Sequence, residues 1–136
     1  MFPRIDPKTP IGFDYETSGL QYWQPDFRVV GVSVATPDAQ VWYWDLRETP
    51  QAVQWLHDLL ADRVVVAHNA QFEVQCTRVL GIDPRKVDWY CTMVGQCLIN
   101  EHLLSYSLSN VAKHNGIETR KEEHLENIRA TMGWKN

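Results

Sequence analysis

The chain has 136 residues, 44% of them hydrophobic and 22% charged, and a net charge of −4. That length suits one domain with a real core. The charge excludes a tight, sequence-independent nucleic-acid wrapper, which needs a basic surface, but leaves room for bound metal ions to supply local positive charge. Cys76, Cys91 and Cys97 are odd in number and lack C-x-x-C spacing, so neither a disulfide framework nor a structural zinc site is expected and a reducing interior is. The N-terminus lacks the apolar stretch of a signal peptide. The longest apolar run, Val64-Val65-Val66-Ala67, is far too short to cross a membrane, and no membrane partner is expected.

In chain order, residues 1–10 are rich in Pro and read as a leader. Residues 11–17 read as a strand, with Ser18-Gly19 breaking it. Residues 29–35 and 41–46 read as two more strands, separated by the turn signal Thr36-Pro37-Asp38-Ala39-Gln40. The short connection predicts an antiparallel meander. Thr49-Pro50 looks like an N-cap followed by Pro at the first helical position. Val53, Leu56, Leu59 and Leu60 then recur at helical spacing, so 50–61 is a predicted helix. The run 64–67 predicts a strand covered on both faces. A helix is expected over 70–80, with Phe72, Cys76, Val79 and Leu80 on its inner stripe and Gly81 closing it. A strand over 87–91, a helix over 92–102, a helix capped by Ser107 and an amphipathic helix over 121–132 complete the order. Strands in a meander followed by alternating helices and strands imply a mixed sheet with helices on its faces. The Trp42-Tyr43-Trp44 run is expected to pack on the core on one side and leave a ring on the surface on the other.

Two blocks carry chemistry. In Ile11-Gly12-Phe13-Asp14-Tyr15-Glu16-Thr17, Asp14 and Glu16 share one face of a strand while Ile11, Phe13 and Tyr15 share the other. Two adjacent carboxylates repel, and a divalent cation offsets that. In Val66-Ala67-His68-Asn69-Ala70-Gln71-Phe72-Glu73, a buried strand runs into a helix. Asn69 is expected as its N-cap, and Glu73 falls in its first turn, bordering the core. Ligand sites in such folds gather at strand ends and helix starts, so Glu73 can join Asp14 and Glu16. Three carboxylates without a basic partner favour a hard cation, Mg²⁺ or Mn²⁺, over zinc. Two such ions about 4 Å apart can hold an attacking water and a leaving oxygen of a phosphodiester in line.

The stretch Phe13-Asp14-Tyr15-Glu16-Thr17-Ser18-Gly19-Leu20 resembles the first motif of the DEDD-type 3′–5′ exonucleases, and Ala67-His68-Asn69-Ala70-Gln71-Phe72-Glu73 resembles their second. Trp89-Tyr90-Cys91-Thr92-Met93-Val94 and Ser107-Leu108-Ser109-Asn110-Val111-Ala112 are similar to the exonuclease domains of phage-type family A DNA polymerases. The resemblance covers nearly the whole chain. It implies a ribonuclease H-like fold: a mixed five-stranded sheet with helices on both faces, here C-terminally truncated, as one domain over 1–136. It implies that Asp14 bridges two metals, that Glu16 holds the nucleophile-side metal and that Glu73, where Asp is usual, reaches the second. It implies that Thr17 and Leu20 contact the 3′-terminal nucleotide, Leu20 as a wedge, and that His68, Asn69 and Phe72 face substrate. The implied activity is metal-dependent hydrolysis at a single-stranded DNA 3′ end, beside a DNA polymerase domain, in the cytoplasm of a bacterial or phage-infected cell.

One departure stands against this. The family uses a fourth carboxylate, an Asp on a late helix, and after Asp88 the chain has no Asp. The chain therefore reads as a fragment, half of a split gene or a reduced domain. Two alternatives follow: a catalytically incomplete module that binds nucleic acid or a partner protein, and an RNA-trimming exonuclease.

Overall fold

The computed structural model describes residues 1–118 and Thr131. The strands are β1 (Ile11–Thr17), β2 (Val29–Ala35), β3 (Val41–Asp45), β4 (Val64–Ala67) and β5 (Asp88–Cys91). The helices are α1 (Ala52–Leu60), α2 (Ala70–Val79), α3 (Thr92–Ile99) and α4 (Leu108–His114), with a 3₁₀ turn at Pro84–Lys86 that periodicity did not foresee. The amphipathic helix expected over 121–132 lies outside the described residues, Thr131 apart. The chain divides into two compact units, Met1–Gly95 and Gln96–Asn136.

In the first unit the five strands form one sheet in the order β3-β2-β1-β4-β5. β1, β2 and β3 pair antiparallel, β2 and β3 through the short turn that predicts it, and β4 and β5 join in parallel through helical crossovers. β1 is therefore central. The alternation of its residues decides its faces: Ile11, Phe13 and Tyr15 are buried, while Asp14 and Glu16 are exposed. Val32, Val34 and Val65 continue the buried face and pack with Leu56, Leu59 and Leu60 of α1 and Cys76 of α2.

The structure differs from the sequence expectation at several ends. α1 begins at Ala52, because Ala52 N–H donates to the Thr49 carbonyl and Val53 N–H to that of Pro50, so Pro50 and Gln51 form a tight turn. α3 ends at Ile99, three residues short of 102. β4 is covered on one face and not both: Val65 and Ala67 are buried, but Val64 is 42% exposed and Val66 half-buried. Trp44 turns inward onto Phe2 and Trp55, with Trp44 and Trp55 centroids 4.5 Å apart, while Tyr43 is exposed, as expected for that run.

The opening segment has no helix or strand, yet it is firmly held. Arg63 is buried and donates to the carbonyls of Leu59 (2.7 Å), Asp6 (2.6 Å), Thr9 (2.5 Å) and Ile5 (3.1 Å). Phe2 stacks on Trp55 at 5.4 Å, and the Trp55 indole N–H donates to the Pro3 carbonyl. A buried guanidinium is tolerated here because backbone carbonyls satisfy it. In the second unit, Ser107 caps α4 by accepting the Asn110 N–H, as its sequence predicted.

Candidate metal and nucleic-acid site

Asp14 and Glu16 project from the exposed face of the central strand, and their neighbours on β2 are small. Ser33 lies opposite Asp14, Gly31 opposite Glu16 and Ala35 opposite Gly12. This small-residue row on β2 was visible in the sequence only as an alternation whose partner strand was unknown. The register slips between Glu16 and Thr17, a bulge that ends the regular pairing at the site. The Tyr43 hydroxyl covers Gly31 so closely that a Cβ built there would meet it at 2.3 Å. Glycine at 31 is what lets that ring lie down.

Glu73 reaches β1 from the other side. β4 pairs with β1 only at Ile11–Val65 and Gly12–Val66. Beyond that point the edge of β1 is open, and the Glu73 Oε2 accepts the Tyr15 backbone N–H at 3.1 Å. The Tyr15 hydroxyl meets the Thr77 Oγ1 at 3.2 Å, and the Thr77 hydroxyl donates to the Glu73 carbonyl at 2.8 Å. The first turns of α2 are thus bolted to β1.

Glu73 is only 3% exposed. Burial pushes its carboxyl up to about 8, the negative charge of Asp14 adds to this, the Tyr15 N–H pulls the other way, and Glu16 contributes a smaller push. The same causes, burial first and then Glu73 and Asp14, push the Cys76 thiol up to about 12. The three acids are thus electrostatically coupled, and burial together with the neighbouring negative charge favours the protonated form of Glu73 until positive charge arrives. Among the described residues no three His, Cys, Asp or Glu side chains stand ready-grouped around one cation position. The physical reason is that Glu73 is turned to a backbone N–H while Asp14 and Glu16 point to solvent. As chemistry, the donor set fits a hard divalent ion: oxygen only and mutually repelling.

The other expected residues lie in three places. The Thr17 hydroxyl donates to the Gly19 carbonyl at 2.6 Å, and Leu20 is 77% exposed. The His68 Nδ1 meets the Thr92 Oγ1 at 2.9 Å. Asn69 stands at the N-cap position of α2 but does not cap it through its side chain; its backbone is left-handed, with φ of 60°. That conformation suits Asn better than most residues and turns the chain sharply from β4 into α2, while the Ala70 N–H is taken by the Cys91 sulfur at 3.4 Å. Phe72 packs its ring edge-on against Tyr22 and Phe27.

A family model described as 3′–5′ exonuclease matches residues 1–133. The chain is 36% identical over 114 residues to "DNA polymerase DpoZ" of Salmonella phage PMBT28, covering 83% of this chain and 18% of that protein. It is 39% identical over 136 residues to "DNA polymerase DpoZ" of Vibrio phage phiVC8, covering 90% of this chain and 21% of that protein. The chain thus spans about a fifth of the length of the curated relatives it matches. Among solved structures, product-bound exonuclease I is similar with a TM-score of 0.63 at 16% identity, over 83% of this chain and 39% of that one. Brucella melitensis NrnC bound to pGG is similar with a TM-score of 0.65 at 18% identity, over 83% and 56%. At those identities the structural similarity shows a shared fold alone, the ribonuclease H-like mixed sheet. With nearly every residue matched, the chain belongs to the 3′–5′ exonuclease family, a domain found in phage DNA polymerases.

Proposed function

We propose that this chain is the proofreading-type 3′–5′ exonuclease domain of a phage-type DNA polymerase, and that it hydrolyses phosphodiesters at single-stranded DNA 3′ ends. One observation carries the reading. Asp14 and Glu16 leave the central strand on one face, and Glu73 is hydrogen-bonded to the N–H of the residue between them. In this reading Asp14, Glu16 and Glu73 hold Mg²⁺ or Mn²⁺, the two-metal form being the one the family resemblance implies. The ions supply the activation of an attacking water and the charge to stabilise a leaving 3′-oxygen.

The residues themselves do the rest. The Tyr15 N–H orients the Glu73 carboxylate, and Glu73 gives up its proton as positive charge enters the site. Ser33 leaves room beside Asp14 for a phosphate, and the Tyr43 hydroxyl lies over Gly31 beside Glu16. Leu20, exposed on the loop after β1, wedges against the terminal base, and Thr17 and Asn69 help seat the terminal nucleotide. His68 and Phe72 line the approach, Phe72 chiefly by holding the loop. A second reading, a nucleic-acid-binding module without turnover, is favoured by the orientation of the acids: Glu73 is turned to the Tyr15 N–H, and among the described residues no three His, Cys, Asp or Glu side chains are grouped around one cation position.

Degradation of a 5′-labelled single strand with Mn²⁺ separates these. Exonuclease action shortens it from the 3′ end, and Asp14→Ala or Glu73→Ala lowers the rate by at least about 100-fold, the scale of losing a metal-held charge at the reacting centre. Rates unchanged by both substitutions would sink the reading. Binding without shortening supports the module instead, and a preference for RNA over DNA strands redirects the substrate class.

A further inference from the structure

The loop after β1 carries an aromatic ring that the proposed chemistry does not use. Trp23 is 65% exposed, yet its ring is held. It meets Tyr22 edge-on at 5.1 Å with an interplanar angle of 86°. Tyr22 meets Phe72 at 6.5 Å, and Phe27 meets Phe72 at 6.4 Å. Phe72 directly precedes Glu73, so a ladder of rings ties Trp23 to the helical turn that bears the third acid. The loop also closes on itself. Tyr22 N–H donates to the Leu20 carbonyl, Gln24 N–H to that of Gln21 and Phe27 N–H to that of Gln24. Its ends are joined by Ser18 N–H to the Arg28 carbonyl and Arg28 N–H to the Ser18 Oγ, both at 2.9 Å. A large exposed ring on a pre-ordered loop loses little freedom on binding.

The loop's chemistry selects what can lie on that ring. From Ser18 to Phe27 there is no Lys or Arg, and the sole charged residue is Asp26. Arg28 turns its guanidinium back onto the Pro25 and Phe27 carbonyls at 3.0 and 2.8 Å. The one cation at the loop, exposed Arg28, thus stands at its base with Nη1 committed to backbone carbonyls, away from the run that carries Trp23. Leu20, Gln21, Gln24 and Phe27 line part of an open groove of about 400 Å³ on the same loop. Asp26 and Ser18 complete the lining with Gly19, and Trp23 stands on the same loop outside the groove; the two primary amides suit the edge of a base, and the indole suits the π-face that every base presents.

We propose that Trp23 is a stacking subsite for a base of the single-stranded nucleic acid, upstream of the scissile bond and separate from the terminal-nucleotide contacts of Thr17 and Leu20. The identity of the strand rests on the exonuclease reading, but the stacking itself is measured without turnover.

The test is fluorescence anisotropy of a 5′-labelled single-stranded oligonucleotide titrated with the full chain in Ca²⁺, with an abasic unit placed at each position in turn. Trp23→Ala raises Kd about tenfold on the intact strand, and Trp23→Phe, which keeps a ring, raises it by roughly a third of that or less. At one abasic position wild type and Trp23→Ala bind alike, which locates the stacked base. Equal Kd for wild type and Trp23→Ala on the intact strand overturns the proposal, as does no binding by the wild type. A loss in Trp23→Ala that no abasic position removes also overturns it, because that marks a role in holding the loop. Hydrolysis is read separately. Turnover that Asp14→Ala abolishes, with Trp23→Ala silent in binding, sinks the stacking subsite alone. No turnover, with the abasic pattern present, sinks the exonuclease reading alone.

Discussion

The carboxylate of Glu73 accepts the backbone N–H of Tyr15 at 3.1 Å, across 58 residues of sequence. Tyr15 lies between Asp14 and Glu16, so this bond fixes the position of the acid on α2 against the strand that carries the other two. It also removes Glu73 from water and places it in the field of Asp14 and Glu16.

A pH dependence of stability follows from that burial. The Glu73 carboxyl is raised from 4.5 to about 8 in the folded chain. Between those values the folded state holds a proton that the unfolded chain releases, so this group's stabilising contribution is complete below about pH 4.5, falls as pH rises and is gone above about pH 8. Glu73→Gln keeps an acceptor for the Tyr15 N–H and cannot ionise. Its melting temperature should fall less than the wild type's between pH 5 and pH 8, by about 4 °C or more. Parallel melting curves for the two proteins would show that Glu73 holds no such proton.

Divalent cations should reverse that loss. Manganese at about 100 times its Kd stabilises by about 2.7 kcal/mol if it binds only the folded chain. The effect should be larger at pH 8 than at pH 6, because binding at the lower pH must expel the Glu73 proton. Thermal melts with and without Mn²⁺ read this directly. Asp14→Ala should abolish the shift, and a shift that survives Asp14→Ala places the ion elsewhere.

Thr77 and Tyr15 should behave as one unit. Their hydroxyls meet at 3.2 Å in the buried interior. Thr77→Val leaves the Tyr15 hydroxyl buried without that partner, a cost of about 2 kcal/mol, whereas Tyr15→Phe costs nearer 1 kcal/mol. Urea unfolding of both single variants and the double variant should show the double costing less than the sum by at least about 0.5 kcal/mol. Strict additivity contradicts the coupling.

Arg63 should be among the most sensitive positions away from the acids. Four backbone carbonyls receive its guanidinium, three of them from residues 5–9. Arg63→Ala orphans these carbonyls and should destabilise by about 3 kcal/mol. Arg63→Lys cannot span them with one ammonium and should recover less than half. Urea unfolding measures both, and a wild-type midpoint for Arg63→Ala refutes the clamp.

Much of the framework was legible because it is local. The alternation of Ile11, Phe13 and Tyr15 with Asp14 and Glu16 fixed which side chains share a face, whatever the strand pairs with. The Ser107 cap and the split of Trp42-Tyr43-Trp44 are likewise short-range. The extent of burial on β4 was not legible, because four apolar residues in a row do not say how many faces are covered. Nor was the role of the opening segment, since its low-periodicity sequence gives no sign of Arg63 more than fifty residues away. Asn69 was placed correctly at the start of α2, but its left-handed backbone depends on how the chain must turn between β4 and the helix.

The sequence by itself determined that the chain carries two carboxylates on one strand face and a third at a helix start, because side-chain direction along a strand or helix is set by backbone geometry alone. Only the tertiary structure decided that these acids feel one another. β4 stops pairing with β1 after Gly12, which frees the Tyr15 N–H for Glu73. That contact buries Glu73 beside the charges of Asp14 and Glu16 and turns an ordinary glutamate into one that holds its proton to about pH 8.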